Sequence, residues 1–441
     1  MSFSRYNRYK SSGIEWLGDV PAHWTVRRLR HAVVLNPSKS EAGHQDPSSA
    51  VSFLPMEAIG EDGAIDLSLE RPLSEVGNGY SYFRNGDVAL AKITPCFENG
   101  KGAVMRELRN GVGFGTTELI VARPRRGAVT ADYLHLVFSS IQFRQLGEAH
   151  MYGAGGQKRV PDDFVRDFAI ALPPLEEQKR ITKFLALEIP RIEAVIAEQR
   201  RLMALLTEKR QAVIAHAVTK GLNPRAPMKS SGIDWLGAVP AHWDVRRIGS
   251  LFREAADDAC EERPILSVSI HDGVSDREFS EEELDRKITR SDDRSKYKSV
   301  EPGDLVYNMM RAWQGGLGTV QVPGMVSPAY VVARPLRPVR TAFIEQQLRT
   351  PQAVEEMRRH SRGITDFRLR LYWDEFKTIS VAIPPVEEQT AIEKRIEEVV
   401  SRNNALIAET EKAIALLAER RAALVSAAIT GKIDVRGLVP A

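Results

Sequence analysis

The sequence predicts an α+β protein in which two duplicated mixed α/β domains are separated by two long helices that pack as an antiparallel coiled coil. Three observations predict this architecture. A long helical segment occurs twice, a tryptophan-containing segment occurs twice, and each tryptophan segment is followed by a block of short apolar runs broken by Gly, Pro and Asn. A chain of 441 residues is too long for one hydrophobic core, so we expect several structural units.

The long helical segment opens with the same motif in both copies. The first copy runs from Pro173–Gln178 (Pro-Pro-Leu-Glu-Glu-Gln) to Gly221, and the second from Pro384–Gln389 (Pro-Pro-Val-Glu-Glu-Gln) to Gly431. The opening motif repeats at an offset of 211 residues (384 − 173), and the closing glycine at 210 (431 − 221). Prolines suit a helix start, glutamates there face the positive end of the helix dipole, and a glycine suits the end. Residues 176–219 would span roughly 66 Å, several times the length of an ordinary domain helix.

The apolar residues of both copies recur in alternating steps of four and three, which is typical of a helix paired with another helix. The other copy is the obvious partner, and the alternative is a core helix in each of two ordinary domains. Pro190 predicts a kink or a break in the first helix. The predicted seam comprises Ile181, Leu185, Ile192, Val195, Leu202, Leu206 and Val213, and then Ile392, Ile396, Val399, Leu406, Ala413, Leu417, Leu424 and Ala427, with Asn403, Thr410 and Arg420 in its polar gaps.

The tryptophan segment indicates a duplication. Residues 11–28 recur at 230–247 with three differences in 18 positions. We expect Trp16, Leu17 and Trp24 to pack on the domain that follows, since tryptophan is mostly a core residue. The repeats divide the chain into a flexible lead (1–10), a first domain (11–175), a first long helix (176–221), a linker (222–229), a second domain (230–386), a second long helix (387–431) and a tail (432–441).

Within the first domain the patterns predict strands at 51–56, 87–93 and 119–122, a helix at 131–145 and a last strand at 164–172. The second domain repeats this frame: Gly86-Asp87-Val88 matches Gly303-Asp304-Leu305, and Val121–Pro124 matches Val332–Pro335. The sequences between these anchors differ. This pattern is typical of one fold that performs one task on two different targets.

Composition excludes several classes of protein. Hydrophobic content of 43% and charged content of 27% are those of a globular protein, and we find no apolar run of 18 residues and no signal peptide. Two cysteines, Cys96 and Cys260, cannot form a disulfide framework, so we expect the reducing cytoplasm. No phosphate-binding loop, dinucleotide motif or metal-ligand spacing is present, and the sequence therefore predicts no catalytic residue and no metal site.

Binding is the function that the variable loops favour. They carry Arg, Lys, Asn and Gln, which read base edges in the major groove of DNA, while further basic groups hold phosphates. Each such residue alone is more often a solvated charge, and the signal is their clustering in matched loops. The candidate DNA-binding residues are Lys92, Thr94, Lys101, Lys158 and Arg159 in the first domain, and Asn308, Arg311, Gln314, Arg362 and Arg368 in the second.

In this layout the chain resembles the DNA-specificity (S) subunit of type I restriction–modification systems. The resemblance rests on the tryptophan segment Gly13–Trp24, on Gly86-Asp87-Val88, on Val121–Pro124 and on the Pro-Pro-x-Glu-Glu-Gln helix opening, all of which recur in the second half. It implies two target-recognition domains, each of which reads one half of a bipartite double-stranded DNA site, held apart by the paired helices. Met309-Met310 in place of Lys92-Ile93 weakens any transfer of a DNA contact from Lys92 to the second domain.

The resemblance also implies partners. Two modification (methyltransferase) subunits would dock on the helices and restriction (translocase/nuclease) subunits would join them. S-adenosylmethionine, ATP and Mg would belong to those partners, so that this non-catalytic chain would support DNA adenine methylation and restriction. Two alternatives remain: a coiled-coil scaffold that binds proteins without DNA specificity, and a free-standing methyltransferase or nuclease. The candidate docking and spacer residues are Glu177, Gln178, Leu202, Leu206, Glu388, Gln389, Leu417 and Leu424.

Overall fold

The computed structural model describes residues 3–154, 156–279, 293–363 and 369–439. The chain forms two compact units: unit 1 is Met1–Arg200 with Lys412–Ala441, and unit 2 is Arg201–Glu411. Each unit therefore contains one mixed α/β domain and one half of each long helix. The predicted fold class is confirmed, because the two long helices pack together and both strands and helices build each domain.

Unit 1 is built on two four-stranded sheets. The central sheet is antiparallel, in the order Val33–Leu35, Leu119–Pro124, Val88–Ala91 and Gly102–Val104, and its strands carry the buried apolar runs of the sequence. The second sheet has the order Glu70–Pro72, Ala50–Leu54, Val112–Gly115 and Ser81–Arg84, with one parallel pair in its middle. Two strand pairs complete the unit: Tyr9–Ser11 with Asp19–Pro21, and Thr25–Arg28 with Ala169–Leu172.

The helix Ala131–Ser139 packs on the central sheet of unit 1, and the helix Leu73–Val76 packs on the second sheet. Trp24 is fully buried and Trp16 stacks on Phe168 with 4.9 Å between ring centroids, so both tryptophans pack on the domain. The α-helices are Leu73–Val76, Ala131–Ser139, Ile141–Ala149, Asp162–Asp167 and the first long helix, Leu175–Lys220, and the 3-10 turns are Leu29–His31, Lys39–His44, Met56–Ala58 and Arg109–Gly111.

Unit 2 repeats the central sheet, and its described residues form only one strand pair in place of the second sheet. Its central sheet has the order Phe252–Ala255, Tyr330–Pro335, Leu305–Asn308 and Leu317–Thr319. The other pairs are Met228–Ser230 with Ala238–Pro240, Asp244–Arg247 with Ser380–Ile383, Lys298–Val300 with Gly324–Val326, and Val268–Ser269 with Gly273–Val274. Its α-helices are Thr341–Leu348, Pro351–Arg359, Trp373–Phe376 and the second long helix, Val386–Ile429, and its 3-10 turns are Ile248–Ser250, Arg294–Lys296 and Ala312–Gln314.

The long helices make the same antiparallel contact in each unit. In unit 1, Arg421 pairs with Glu193, and in unit 2 the Nη1 of Arg210 donates to Asn404 Oδ1 at 3.0 Å. Each residue of one pair stands 211 positions from its counterpart in the other (404 − 193 and 421 − 210). The duplication in sequence is therefore also a duplication of the helix contact.

The predicted seam is wrong at two positions of the first helix. Val195 and Leu202 are exposed, at 46% and 43%, whereas Ile192 and Ile196 are buried. The buried positions here, Ile192 and Ile196, are four residues apart instead of three. The reason is that a helix with 3.6 residues per turn drifts against a strict seven-residue repeat. In the second helix Leu406 is exposed, whereas Asn403 and Thr410, the polar members of the predicted seam, are buried as the prediction requires.

The first long helix is continuous through Pro190, so of the two predicted outcomes, a kink or a break, the break is wrong. Three further local expectations need correction. The expected helix 131–145 is two helices, because Ser140 is extended and caps the second one through Phe143 N–H. In the expected strand 164–172, the helix Asp162–Asp167 comes first and only Ala169–Leu172 is a strand. In the described part of the lead, Tyr6 packs into the core and is 5% exposed.

The repeated Gly-Asp and Val-Ala-Arg-Pro motifs meet in a buried ion pair. In unit 1 the guanidinium of Arg123 donates to both carboxylate oxygens of Asp87, at 2.7 and 2.8 Å, and also to Glu41 at 2.5 Å. In unit 2 Arg334 makes the same two-pronged contact with Asp304, at 2.9 and 2.8 Å. Both aspartates are buried, and each ion pair joins two neighbouring strands of a central sheet.

We predict that D87N destabilises unit 1 by about 2–4 kcal/mol, since it removes the buried charge that Arg123 contacts and leaves its largely buried guanidinium with only the more exposed Glu41. D304N should cost less in unit 2, because the side chain of Arg334 is 21% exposed against 11% for Arg123. Urea unfolding followed by hydrogen exchange in each unit measures both effects. The exposed E57Q is the control, and equal stability of D87N and E57Q would contradict the assignment.

Candidate nucleic-acid interface

In unit 1 two loops meet where the central strand Val88–Ala91 ends. The N–H of Val160 donates to the carbonyl of Lys92 at 2.8 Å, and the N–H of Thr94 donates to the carbonyl of Lys158 at 3.0 Å. Tyr152 and Arg159 exchange two further backbone hydrogen bonds, at 3.1 and 2.8 Å. The backbone therefore brings four of the predicted residues, Lys92, Thr94, Lys158 and Arg159, into one surface.

The charges of this surface differ in availability. Arg159 donates twice to Glu118, at 2.9 and 2.8 Å. The Arg159 hydrogen bond lowers the pKa of Glu118, and the same contact raises the pKa of Arg159. Lys158 is exposed, and it makes no ion pair within the described parts of the chain. Lys158 is therefore available to bind an anionic ligand. Arg159 can bind one if its ion pair with Glu118 opens, or through the edge of the guanidinium that does not contact Glu118.

Two other predicted residues of the first domain are held by the protein itself. Thr94 Oγ1 donates to Glu98 at 2.8 Å, and Lys101 Nζ donates to the carbonyl of Met56 at 3.3 Å. The N–H of Lys101 also donates to the Cys96 carbonyl, which places it beside the same loop. These contacts indicate that Thr94 and Lys101 shape the loop at least as much as they offer donors to a ligand.

Unit 2 builds the equivalent surface from different side chains. The N–H of Leu371 donates to the carbonyl of Met309 at 2.9 Å, and Arg362 and Arg370 exchange two backbone hydrogen bonds at 2.9 Å. Met309 therefore occupies the position that Lys92 has in unit 1. Asn308, at the end of the central strand, is buried and accepts a hydrogen bond from Met310 N–H, so its amide orders the loop.

The loop that follows Asn308 carries the exposed donors of unit 2. Arg311 and Gln314 are both exposed, and Gly316 lies so close to the Arg311 carbonyl that a Cβ there would stand 2.9 Å from it. Arg311 makes no ion pair among residues 293–363 and the other described ranges. Arg362 pairs with Glu375, and the predicted Arg368 lies outside the described residues.

Sequence reasoning missed Trp313 and Arg358 in this surface. The Arg358 guanidinium lies 5.8 Å from the centroid of the Trp313 ring, and the indole N–H donates to the Met310 carbonyl at 2.9 Å. The basic last turn of the helix Pro351–Arg359 was the available signal. Its relevance depended on a contact between segments about 45 residues apart, which spacing alone does not give.

Comparison with known proteins finds relatives in sequence. No protein-family profile matches the chain. It is 42% identical over 165 residues to the EcoAI and EcoEI type I restriction enzyme specificity subunits of Escherichia coli, which covers 37% of this chain and 27% of each relative. It is 23% identical over 298 residues to the EcoBI specificity subunit of the same organism, covering 63% of this chain and 61% of the relative.

Solved structures share the fold over nearly the whole chain. The HsdS subunit from Thermoanaerobacter tengcongensis is 17% identical, with a TM-score of 0.57 over 94% of this chain and 98% of that one. A structure described for complex assembly and conformational transition of the type I R-M system is 19% identical, with a TM-score of 0.68 over 95% and 99%.

The chain is a relative of type I restriction enzyme specificity subunits. The match spans about a quarter, 27%, of the length of the first two relatives, so it covers only part of those proteins. Two further findings concern the described residues of this relative of specificity subunits. None of its described helices is long and apolar enough to cross a membrane, and its described residues contain no cluster of three or more His, Cys, Asp or Glu suited to a metal ion.

In this relative of specificity subunits, the repeated glutamine of each helix opening is buried inside its own unit. The Gln178 amide donates to the carbonyls of Ala128 and Pro173, at 3.1 and 2.9 Å, and accepts from Thr130 N–H at 2.8 Å. Gln389 donates to the Pro384 carbonyl at 2.8 Å and accepts from Arg340 N–H at 3.1 Å. Neither amide can face a docked protein, so these residues join each helix to its domain.

The glutamate before each glutamine is also an internal residue. Glu177 accepts hydrogen bonds from Tyr6 Oη at 2.5 Å, Trp24 Nε1 at 3.0 Å and His23 Nε2 at 2.8 Å, and its side chain is 6% exposed. Glu388 pairs with His242 at 2.7 Å and its side chain is 27% exposed. The domain therefore already uses the Glu177 carboxylate, and the role of Glu177 as a docking or spacer residue stays a prediction.

The leucines predicted for docking or spacing divide by burial. Leu424 is buried and Leu206 and Leu417 are half-buried, as expected of residues between helices. Leu202 is exposed, which suits a docking residue rather than a seam residue. Two exposed leucines that the heptad reasoning did not select, Leu205 at 52% and Leu416 at 65%, stand 211 positions apart.

Each domain also holds the end of the other long helix. In unit 1 the Tyr133 hydroxyl donates to the carbonyls of Ala171 and Ile429, at 2.9 and 3.0 Å. In unit 2 the Gln347 amide donates to the carbonyls of Ala382 and Val218, at 3.1 and 2.5 Å. Ala382 and Val218 are the counterparts of Ala171 and Ile429 at the 211-residue offset, so the same two acceptors are satisfied by different side chains.

Proposed function

We propose that this chain is the non-catalytic DNA-specificity subunit of a type I restriction–modification complex, with one domain reading each half of a bipartite double-stranded DNA site. The observation that carries the proposal is the repeated loop surface at the end of each central strand. Three of its backbone hydrogen bonds recur in both units, while its exposed side chains differ. One frame with two sets of donors is what two different half-sites require.

The exposed side chains suit the two parts of DNA recognition. Arg311 and Gln314 offer planar, multiple donors of the kind that read base edges, whereas Lys158 offers a point charge of the kind that holds a phosphate. A single domain that reads three to five base pairs discriminates too weakly for a genome of about a million or more sites. Two domains that act together multiply their discrimination, so a bipartite site favours two readers on one chain.

The chemistry would belong to partner subunits. We propose that modification subunits supply S-adenosylmethionine-dependent adenine methylation, that restriction subunits supply the ATP- and Mg-dependent translocase and nuclease, and that all of them act with this chain in the cytoplasm. The support is the kind of protein to which the chain is related, together with a sequence that carries no phosphate-binding loop and no dinucleotide motif. The rival function, a scaffold without DNA specificity, remains an outcome of the tests below.

The long helices offer two matched surfaces for modification subunits. Leu416 in unit 1 and Leu205 in unit 2 are equivalent residues and both are exposed, as are the equivalent Val195 and Leu406. Large exposed leucines at repeated positions are typical of an interaction surface rather than of a solvated helix face. Two equivalent surfaces would hold two modification subunits, one for each unit.

We predict that R311A relaxes base preference at one or two positions of a single half-site, with a loss of about 1–3 kcal/mol of discrimination for each base contact removed.

We predict that K158A weakens binding to all DNA sequences about equally, because it removes a phosphate contact. The slope of log affinity against log salt concentration should fall in magnitude by about one. Selection of bound DNA from a random library by the full chain with its modification subunits, followed by sequencing, measures both. Exposed E57Q is the control variant. Binding without base preference in the unaltered complex would favour the scaffold.

We predict that L205D and L416D each remove one modification subunit from the complex, since each places a charge in one of two matched apolar contacts. The double variant should bind none. Mass photometry of the chain with purified modification subunit counts the subunits bound. E397Q, a change at an exposed position of the second long helix, is the control. Two bound subunits in the double variant would contradict docking at these leucines.

A further inference from the structure

Unit 2 contains an open groove beside the end of the first long helix. Its volume is about 360 Å³, and its floor is apolar, formed by Val213 and Ala217. Two cations, Lys209 and Arg395, line it together with His216, and Leu222 stands at its end. The groove lies neither at the loop surface beside the end of the central strand nor at the exposed leucines.

The equivalent place in unit 1 is filled by the chain itself. Phe184, the counterpart of Arg395 at the 211-residue offset, is 4% exposed and packs against the ring of Phe3 with 5.6 Å between centroids. Three residues later, Tyr6 donates to Glu177 at 2.5 Å and lies under the guanidinium of Arg436, 4.9 Å away. The N-terminal residues 3–6 therefore form an aromatic strap over unit 1, with aromatic rings at its first and fourth positions.

Unit 2 has too little chain to make such a strap. In unit 1 residues 432–439 and 3–8 cover the helix ends, whereas in unit 2 only the six residues 222–227 connect Gly221 to the strand Met228–Ser230. Counted from the tryptophan segment, Arg225 stands at the position of Tyr6 (225 − 6 and 230 − 11 are both 219). The short linker provides no ring for the groove.

In unit 2, Glu388 and Trp243 have fewer hydrogen-bond partners than the equivalent Glu177 and Trp24, which lie under the strap of unit 1. Glu388 receives a hydrogen bond from His242 but none from a tyrosine or a tryptophan in the described chain, and it is more exposed than Glu177. Trp243 is fully buried and its Nε1 finds no acceptor among the described residues, whereas the equivalent Trp24 donates to Glu177. A buried unpaired N–H is costly, so the site is completed only when Glu388 is drawn towards the indole.

We propose that this groove binds an acidic aromatic peptide segment of a partner protein, with an aromatic residue followed three positions later by a tyrosine. The tyrosine hydroxyl would donate to Glu388, as Tyr6 does to Glu177. The first ring would lie on Arg395, a guanidinium that also pairs with Glu398 at 3.2 Å and that attracts the face of an aromatic ring. The inference stands on the internal comparison of the two units and does not depend on DNA recognition.

Charge decides between a partner protein and a second copy of this chain. The strap of a second copy, Phe-Ser-Arg-Tyr-Asn-Arg at residues 3–8, carries two arginines and would bring them to Lys209 and Arg395. Like charges at such a contact disfavour binding, and acidic flanking residues favour it. The occupant is therefore a segment with the spacing of the strap and the opposite charge.

The test is fluorescence anisotropy of the full chain with two labelled peptides, acidic Glu-Phe-Ser-Asp-Tyr-Asn-Glu and basic Phe-Ser-Arg-Tyr-Asn-Arg. We expect the acidic peptide to bind and to bind at least about tenfold more tightly than the basic one. A212W fills the groove and should abolish binding, while A423W, the matched change at the equivalent exposed position of unit 1, should leave it unchanged. No binding of the acidic peptide, or loss of binding in A423W alone, overturns the proposal.

A double-mutant cycle tests the hydrogen bond to Glu388 itself. Replacing the peptide tyrosine by phenylalanine should weaken binding to the unaltered chain about tenfold, since a hydrogen bond to a charged acceptor is lost. The same replacement should change binding to E388Q by no more than about threefold. Equal losses on both chains would show that Glu388 does not receive the hydroxyl. Tighter binding of the basic peptide would identify a second copy of the chain as the occupant and overturn the choice of a partner protein.

Discussion

A buried glutamine at the first turn of each long helix is the constraint on which the rest of the structure depends. Gln178 and Gln389 each bind a carbonyl of the preceding Pro-Pro dipeptide and an N–H at the start of a domain helix. Fully buried amides that are satisfied on both sides tolerate little rotation, because a lost contact leaves a desolvated polar group. The helix direction is thereby fixed relative to the domain from which it emerges. The same motif that marked the repeat in the sequence is the joint of the structure.

Each unit holds the end of the other long helix through a different donor side chain. The comparison shows which contact both units keep. Tyr133 and Gln347 come from different turns of equivalent helices, yet they donate to equivalent pairs of carbonyls. The last carbonyls of a helix have no partner within it and need a donor from elsewhere. The acceptors are therefore the shared requirement, and the donor has changed between the two halves. Each domain thus holds the start of one long helix and the end of the other.

The sequence alone was sufficient for the repeats, the long helices, the helix pairing and the strand frame, because these follow from internal identity and local periodicity. Periodicity did not identify which apolar residues face outwards. The buried stripe drifts around the helix, so Val195 and Leu202 are exposed although they follow the seven-residue repeat. The lead 1–10 was expected to be flexible because its partners, Glu177 and Gly431, lie far away in the chain. Arg159 and Lys101 looked like free donors for the same reason, because their acceptors are set by tertiary contacts.

The resemblance to specificity subunits implies that the paired helices set the gap between two DNA half-sites, and the most direct test of this expectation is to lengthen the helices. Four residues inserted after Leu202 and four after the equivalent Ala413 add roughly 6 Å to each helix. Selection of bound DNA from a random library by the full chain with its modification subunits then measures the gap between the half-sites. The account predicts unchanged half-site sequences and a gap that is longer by about one or two base pairs. Equal preference for the original gap would contradict it.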